Sequence, residues 1–111
     1  MTTDAPRRAS APFSAGDRAA RWPAPQGAVD CHNHIYDRRF PYAPDAALRP
    51  DDATVADYRR LQARIGTTRC VIVQPSSYGA DNRCLLDALR QCGDAARGIA
   101  VVGRDVTDDA L

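Results

Sequence analysis

Apolar positions along this chain follow two rhythms that alternate. Ala28-Val29-Asp30-Cys31-His32 emerges from a Pro/Gly-rich segment as a short strand-like run and predicts a first strand. Residues 35–53 follow as a long connection broken by Pro41, Pro44 and Pro50, each of which removes a backbone donor and disfavours helix at the residue before it. A connection this long in a small domain is usually functional. From Thr54 to Ile65 the positions Val55, Tyr58, Leu61 and Ile65 recur at three and four, which predicts an amphipathic helix with Thr54 and Asp57 as its capping pair and Gly66 as its stop. Cys70-Val71-Ile72-Val73 is a continuous apolar run ending at Gln74-Pro75, the pattern of a strand covered on both faces, as parallel strands are. Pro75-Ser76-Ser77-Tyr78-Gly79 reads as a turn, and Asp81 as the cap of a second helix with Cys84, Leu85, Ala88, Leu89 and Cys92 on one face and Gly93 at its end. Gly98-Ile99-Ala100-Val101-Val102 predicts a third strand, and Thr107-Asp108-Asp109 the start of a further helix.

Strand, helix, strand, helix, strand in this order means an α/β fold with parallel crossovers. A doubly wound nucleotide-binding sheet would place a glycine-rich turn after the first strand, whereas His32-Asn33-His34-Ile35-Tyr36 contains no glycine. A (β/α)8 barrel gathers its chemistry at the carboxyl ends of its strands, which is where these histidines fall. The expected architecture is the N-terminal portion of a TIM barrel, three strands and two helices, because a whole barrel needs about 250 residues and the chain has 111. Two strand edges then stand unpaired, and self-association through them is the expected protein contact.

Fifteen basic residues against fourteen acidic ones, all of them Arg and Asp, give a net charge of +1. That balance carries no electrostatic footprint for nucleic acid. No run of eighteen apolar residues exists to span a membrane. Cys31, Cys70, Cys84 and Cys92 lack both metal-knuckle and disulfide-framework spacing and read as reduced, mostly buried small residues, which points to the cytoplasm. Residues 1–27 are rich in Ala, Pro, Arg and Ser, and no apolar core follows the Arg7-Arg8 pair, so they are expected to form a disordered leader ahead of a folded part over 28–111.

The chemistry-bearing residues are His32 and His34, the only histidines in the chain. In an extended strand alternate side chains share a face, so Asp30, His32 and His34 are expected on one side and Cys31 and Asn33 on the other. Two imidazoles spaced roughly 6 to 7 Å along a strand can converge on one divalent metal ion or on one substrate oxygen. As a bare motif, H-x-H serves equally as a pair of hydrogen-bonded surface residues. Its place, at the end of the first strand and ahead of a long loop, favours the site.

Several segments together resemble the amidohydrolase-related family. They are Val29-Asp30-Cys31-His32-Asn33-His34-Ile35-Tyr36, the loop Phe40-Pro41-Tyr42-Ala43-Pro44, the run Val71-Ile72-Val73-Gln74-Pro75-Ser76, the pair Asp81-Asn82, and Arg97-Gly98-Ile99-Ala100-Val101-Val102. The likeness runs through residues 28–111 and is greatest to the branch of 2-pyrone-4,6-dicarboxylate lactonases and galactarolactone isomerases. It implies a TIM-type barrel acting on a small-molecule lactone, with His32 and His34 as catalytic residues that either ligate one divalent metal such as zinc or, in metal-independent members, contact the lactone directly. The resemblance also makes Ser76 a substrate hydrogen-bond donor, with Ser77 and Tyr78 further substrate-contact candidates and ordinary turn chemistry as their alternative. Asn82 reads as a helix cap before it reads as a substrate contact. Leu48 and Arg49 stand before Pro50 where the pyrone lactonases are expected to carry an aromatic residue, so a sugar-acid lactone fits as well as a dicarboxylate one. The family's later histidine and aspartate have no counterpart among these residues, and the chain by itself is expected to be catalytically inert. Two other readings share the strand motif or the length: a non-enzymatic metal-binding or oligomerising α/β module, and a metal-dependent decarboxylase of the same superfamily.

Overall fold

The computed structural model describes residues 13–111. Its strands are β1 (Val29–Asn33), β2 (Arg69–Val73) and β3 (Ala96–Ile99), and its helices are α1 (Val55–Ile65) and α2 (Arg83–Cys92). The strands form one parallel sheet in the order β1-β2-β3, each pair joined across a helix. This is the α/β alternation expected from the two rhythms. β2 is central and its alternate residues Cys70 and Ile72 are buried, Ile72 to 1% exposure. Tyr58 and Val55 of α1, Cys84, Leu85 and Ala88 of α2, and Ala96 of β3 complete the core around them.

α1 begins where the capping pair placed it. Thr54 has extended backbone, its hydroxyl accepts from the Asp57 amide, and the Asp57 carboxylate accepts from the Thr54 amide, so two otherwise orphaned N–H groups are satisfied reciprocally. Gly66 closes the helix at a φ of 86°, a left-handed conformation that favours glycine. Gly98 of β3 is needed for a different reason: a Cβ there would lie 2.7 Å from Leu89 Cδ1, so α2 seats directly on the strand backbone.

The third strand lies earlier than the apolar run at 98–102 that predicted it. The third strand ends at Ile99, and Val101 and Val102 are exposed in the following loop. The physical cause is that the Val101 backbone finds its hydrogen-bond partners in the Asn82 side chain and not in a neighbouring strand. Of the expected leader, residues 1–12 lie outside the described residues. Residues 13–27 are irregular, and they are tied to the last turn of α1. The Ala20 and Ala24 amides donate to the Arg64 and Ile65 carbonyls, and Arg64 donates back to the Arg18 and Ala15 carbonyls. Carbonyls at a helix C-terminus have no partners within the helix, so a passing extended segment can satisfy them.

Candidate active site

His32 lies in β1 and His34 one residue past its end, and both are exposed. Their ring centroids are 5.0 Å apart in an edge-to-face arrangement. The Nδ1 atom of His34 is 2.9 Å from the Val73 carbonyl oxygen at the end of β2. A carbonyl can only accept, so Nδ1 carries the hydrogen and, in the neutral ring, Nε2 presents a lone pair. The two rings stand closer than the roughly 6 to 7 Å expected from strand rise alone.

The expected alternation along β1 does not hold, because the strand contains a bulge. Asp30 pairs with Cys70, yet Asn33 pairs with Ile72, so three steps on β1 span two on β2. Cys70 and Ile72 share the buried face of β2, which puts Asn33 and Asp30 on the same side despite their odd spacing. Asp30, His32 and His34 nonetheless line one cavity, which Asn33 joins. One carboxylate oxygen accepts from the Tyr58 hydroxyl of α1 at 2.7 Å and the other from the His32 backbone amide at 3.2 Å. Asp30 supports the backbone under His32 and holds α1 against β1.

The Ser76-Ser77-Tyr78 segment forms a single 3-10 turn, and its three residues part company. Ser76 is exposed. Ser77 is 1% exposed and its hydroxyl donates to the Leu48 carbonyl. Tyr78 is 2% exposed, and its hydroxyl accepts from the Asp37 amide and donates to the Asp37 carbonyl. Ser77 and Tyr78 thus clamp the 35–53 connection, whereas Ser76 alone of the three faces solvent. The same connection is closed by an antiparallel bridge between Tyr36 and Ala53 and by the Tyr42 hydroxyl on the Pro50 carbonyl. Arg39 pairs with Asp37 and with Asp87 of α2, and its hydrogen bonds hold the Asp37 carboxyl below the usual carboxylate range.

Sequence reasoning passed over two residues beside the histidines. The Tyr36 ring lies 6.2 Å from the His34 ring, tilted by 59°, and neighbours those of Tyr42 and Tyr78. In the sequence pattern Tyr58 is only one member of the apolar stripe of α1. The available signal was its hydroxyl, which needs a partner when buried, together with an aspartate in the facing strand. A cavity of about 200 Å³ runs along β1, lined by Phe13, Asp30, His32, His34, Asp57 and Tyr58 among others.

All four tyrosines have raised pKa values. For Tyr58 burial is the main cause and the Asp30 carboxylate the second, and for Tyr78 burial again dominates. The neutral phenols are fully accommodated below about pH 10, where tyrosines of an unfolded chain begin to ionise. Above that, the unfolded state releases protons that the folded state retains, so stability falls as pH rises. Tyrosinate absorbance followed alongside far-ultraviolet circular dichroism should show Tyr58 and Tyr78 ionising only as the fold is lost. Complete ionisation near pH 10 with the dichroism unchanged would contradict this.

A catalytic zinc ion takes three protein ligands and an open position, whereas among the described residues no group of three His, Cys, Asp or Glu side chains is placed to hold a metal ion. His32 and His34 would supply two of those donors. No described helix is long and apolar enough to cross a membrane.

A parallel α/β unit with a histidine pair at the carboxyl end of its first strand has its polar groups where (β/α)8 barrels gather their chemistry. The chain belongs to the amidohydrolase family, whose model, described as Amidohydrolase, matches residues 29–111. It is 42% identical over 89 residues to a 2-pyrone-4,6-dicarboxylate hydrolase of Comamonas testosteroni, a match covering 78% of this chain and 29% of that protein. It is 35% identical to a 4-sulfomuconolactone hydrolase of Rhizobium radiobacter (92% and 32% covered) and 31% identical to a D-galactarolactone isomerase of Agrobacterium fabrum (76% and 30%). Among solved structures it resembles a probable 2-pyrone-4,6-dicarboxylic acid hydrolase from Acinetobacter baumannii with citric acid bound, with a TM-score of 0.67 and 34% identity, covering 71% of this chain and 30% of that one. An apo structure from Agrobacterium tumefaciens gives a TM-score of 0.73 at 30% identity, with 79% and 33% covered. The chain thus spans about a third of the length of the relatives it matches.

Proposed function

We propose that this chain supplies the first-strand half of a lactone-processing site, in which His32 and His34 bind and orient the cyclic ester and Ser76 donates to one of its oxygens. The observation that carries this is the ring pair, 5.0 Å apart and exposed, with His34 fixed through Nδ1 to Val73 so that Nε2 is left for the ligand. A lone pair on Nε2 can accept from a water or from a substrate hydroxyl, and an Nε2 bearing hydrogen can donate to a carbonyl or carboxylate oxygen. The three relatives act on lactones that carry acidic groups, by their names a pyrone dicarboxylate, a sulfomuconolactone and a galactarolactone, and the ligand proposed here is of that anionic class.

Ring opening needs water delivered to the carbonyl carbon, a base to take its proton and donors for the developing oxyanion. His32, His34 and Ser76 account for binding and orientation. Asp30, two residues before His32, is committed to Tyr58 and to the His32 amide, so it is not free to serve as the base. The chain is therefore expected to bind without turning over, at a cytoplasmic address. Titration of the 111-residue chain with 2-pyrone-4,6-dicarboxylate, followed by imidazole nitrogen resonances, should move His32 and His34 together, and His32→Ala with His34→Ala should weaken binding by about tenfold or more, as loss of two contacts worth about 1 kcal/mol each implies. Binding unchanged in the double variant would end this reading.

A further inference from the structure

The three loops that leave the carboxyl ends of the strands are joined to one another through a single turn. The β2 end is in register with β3, Val73 opposite Ile99, and the Gln74 amide donates to the Ile99 carbonyl one residue further on. Asn33 and Ile72 pair at the β1 end. The connections 34–54, 74–82 and 100–107 therefore start from one edge of the sheet, the edge that carries His34. The 74–82 turn grips the first of them through Ser77 on Leu48, Tyr78 on Asp37, and the Ala43 amide on the Ser77 carbonyl. Asn82 grips the other. Its Oδ1 accepts from the Val101 amide at 3.0 Å and its Nδ2 donates to the Val101 carbonyl at 2.8 Å, with a further donation to the Ala80 carbonyl.

This geometry is what a neighbouring strand would offer Val101, one acceptor and one donor side by side, delivered here by a side-chain amide. Asn82 occupies the N-cap position of α2 yet makes no capping hydrogen bond, so its amide is spent entirely on Ala80 and Val101. Its backbone angles, φ −85° and ψ 10°, lie in the sparsely populated region between helix and strand, where active-site residues are often found.

We propose that Asn82 is a positioning residue: it fixes the loop after β3 against the 74–82 turn, so that the rim around Ser76 and the histidine pair is held in one arrangement for the ligand. This rests on the lactone-site reading above, and the test separates the two. Asn82→Ala removes both Val101 bonds, whereas Asn82→Asp keeps the acceptor for the Val101 amide and loses only the donor.

Amide hydrogen exchange at Val101 should accelerate about fivefold to tenfold in Asn82→Ala, as loss of a bond worth about 1 kcal/mol implies, and should stay near its original rate in Asn82→Asp. Affinity for 2-pyrone-4,6-dicarboxylate should fall in Asn82→Ala, while thermal melting reports that both variants are folded. Unchanged Val101 exchange in Asn82→Ala overturns the latch. Faster exchange with unchanged affinity overturns the positioning role. Should the unaltered chain fail to bind the probe, the lactone reading falls and the positioning role with it, while Val101 exchange still decides whether the latch exists. If Asn82→Ala does not fold, Asn82→Asp alone decides: Val101 protection lost despite its retained acceptor overturns the proposal, and protection retained supports it.

Discussion

Ile72→Ala should unfold or nearly unfold this protein. Ile72 sits at the centre of the middle strand, 1% exposed, paired with Asn33 on one side and Gly98 on the other. Removing its outer carbons forfeits their transfer free energy and leaves a cavity, a combined cost of about 2 to 5 kcal/mol. A whole domain is stable by only about 5 to 15 kcal/mol, and here the sheet has two strands flanking one, so little else compensates. Denaturant or thermal melting should show the transition shifted far down or lost. Ile99→Ala is the natural control: Ile99 is 53% exposed on β3, and its truncation should change stability by only about 0.5 kcal/mol. A loss below about 1 kcal/mol for Ile72→Ala would mean that the packing around β2 is not the main support of the fold.

Asp30→Ala should be the most damaging polar substitution. The carboxylate joins the Tyr58 hydroxyl to the His32 amide, and Tyr58 is 7% exposed. Without Asp30 the phenol hydroxyl is left buried and unpaired, which costs about 1 to 3 kcal/mol, and the bulge under His32 loses its tie to α1. Adding Tyr58→Phe removes the stranded hydroxyl, so the double variant should be more stable than Asp30→Ala alone. That ordering distinguishes loss of a hydrogen bond from a general loss of charge. A double variant no more stable than the single one would show that the Asp30 to Tyr58 contact does not matter. Cross-relaxation between the His32 and His34 rings, measured on the same variants, reports whether the imidazole pair keeps its spacing once its support is gone.

The elements were legible where local chemistry decides them. The three-and-four rhythm of Val55, Tyr58, Leu61 and Ile65, with Thr54, Asp57 and Gly66 at its ends, is enough to place α1 because capping and amphipathic packing act within a few residues. The apolar run at 70–73 gave β2 for the same reason. The histidine pair was legible too, since spacing along a strand is geometric. What escaped depended on partners far away in the chain. The β1 bulge is a slip in pairing with β2, with no local mark at Cys31 or His32 to announce it. The β3 boundary was missed because an apolar run at 98–102 looks like strand until Asn82 is known to take the Val101 backbone. Ser77 and Tyr78 looked like Ser76 because hydroxyls in a turn carry the same chemistry, and only burial tells a clamp from an open donor.

The 74–82 turn has a consequence for anyone who would redesign this face. Its hydrogen bonds meet the long first connection at Asp37, Ala43 and Leu48, its Tyr78 ring lies against Tyr36 and Tyr42, and Asn82 meets the third loop at Val101. Exposed positions between those points, such as Asp45, can be recoloured at little expense to the scaffold, while a change at a staple is felt in more than one loop. Selectivity can therefore be edited in the spans while the joints stay fixed.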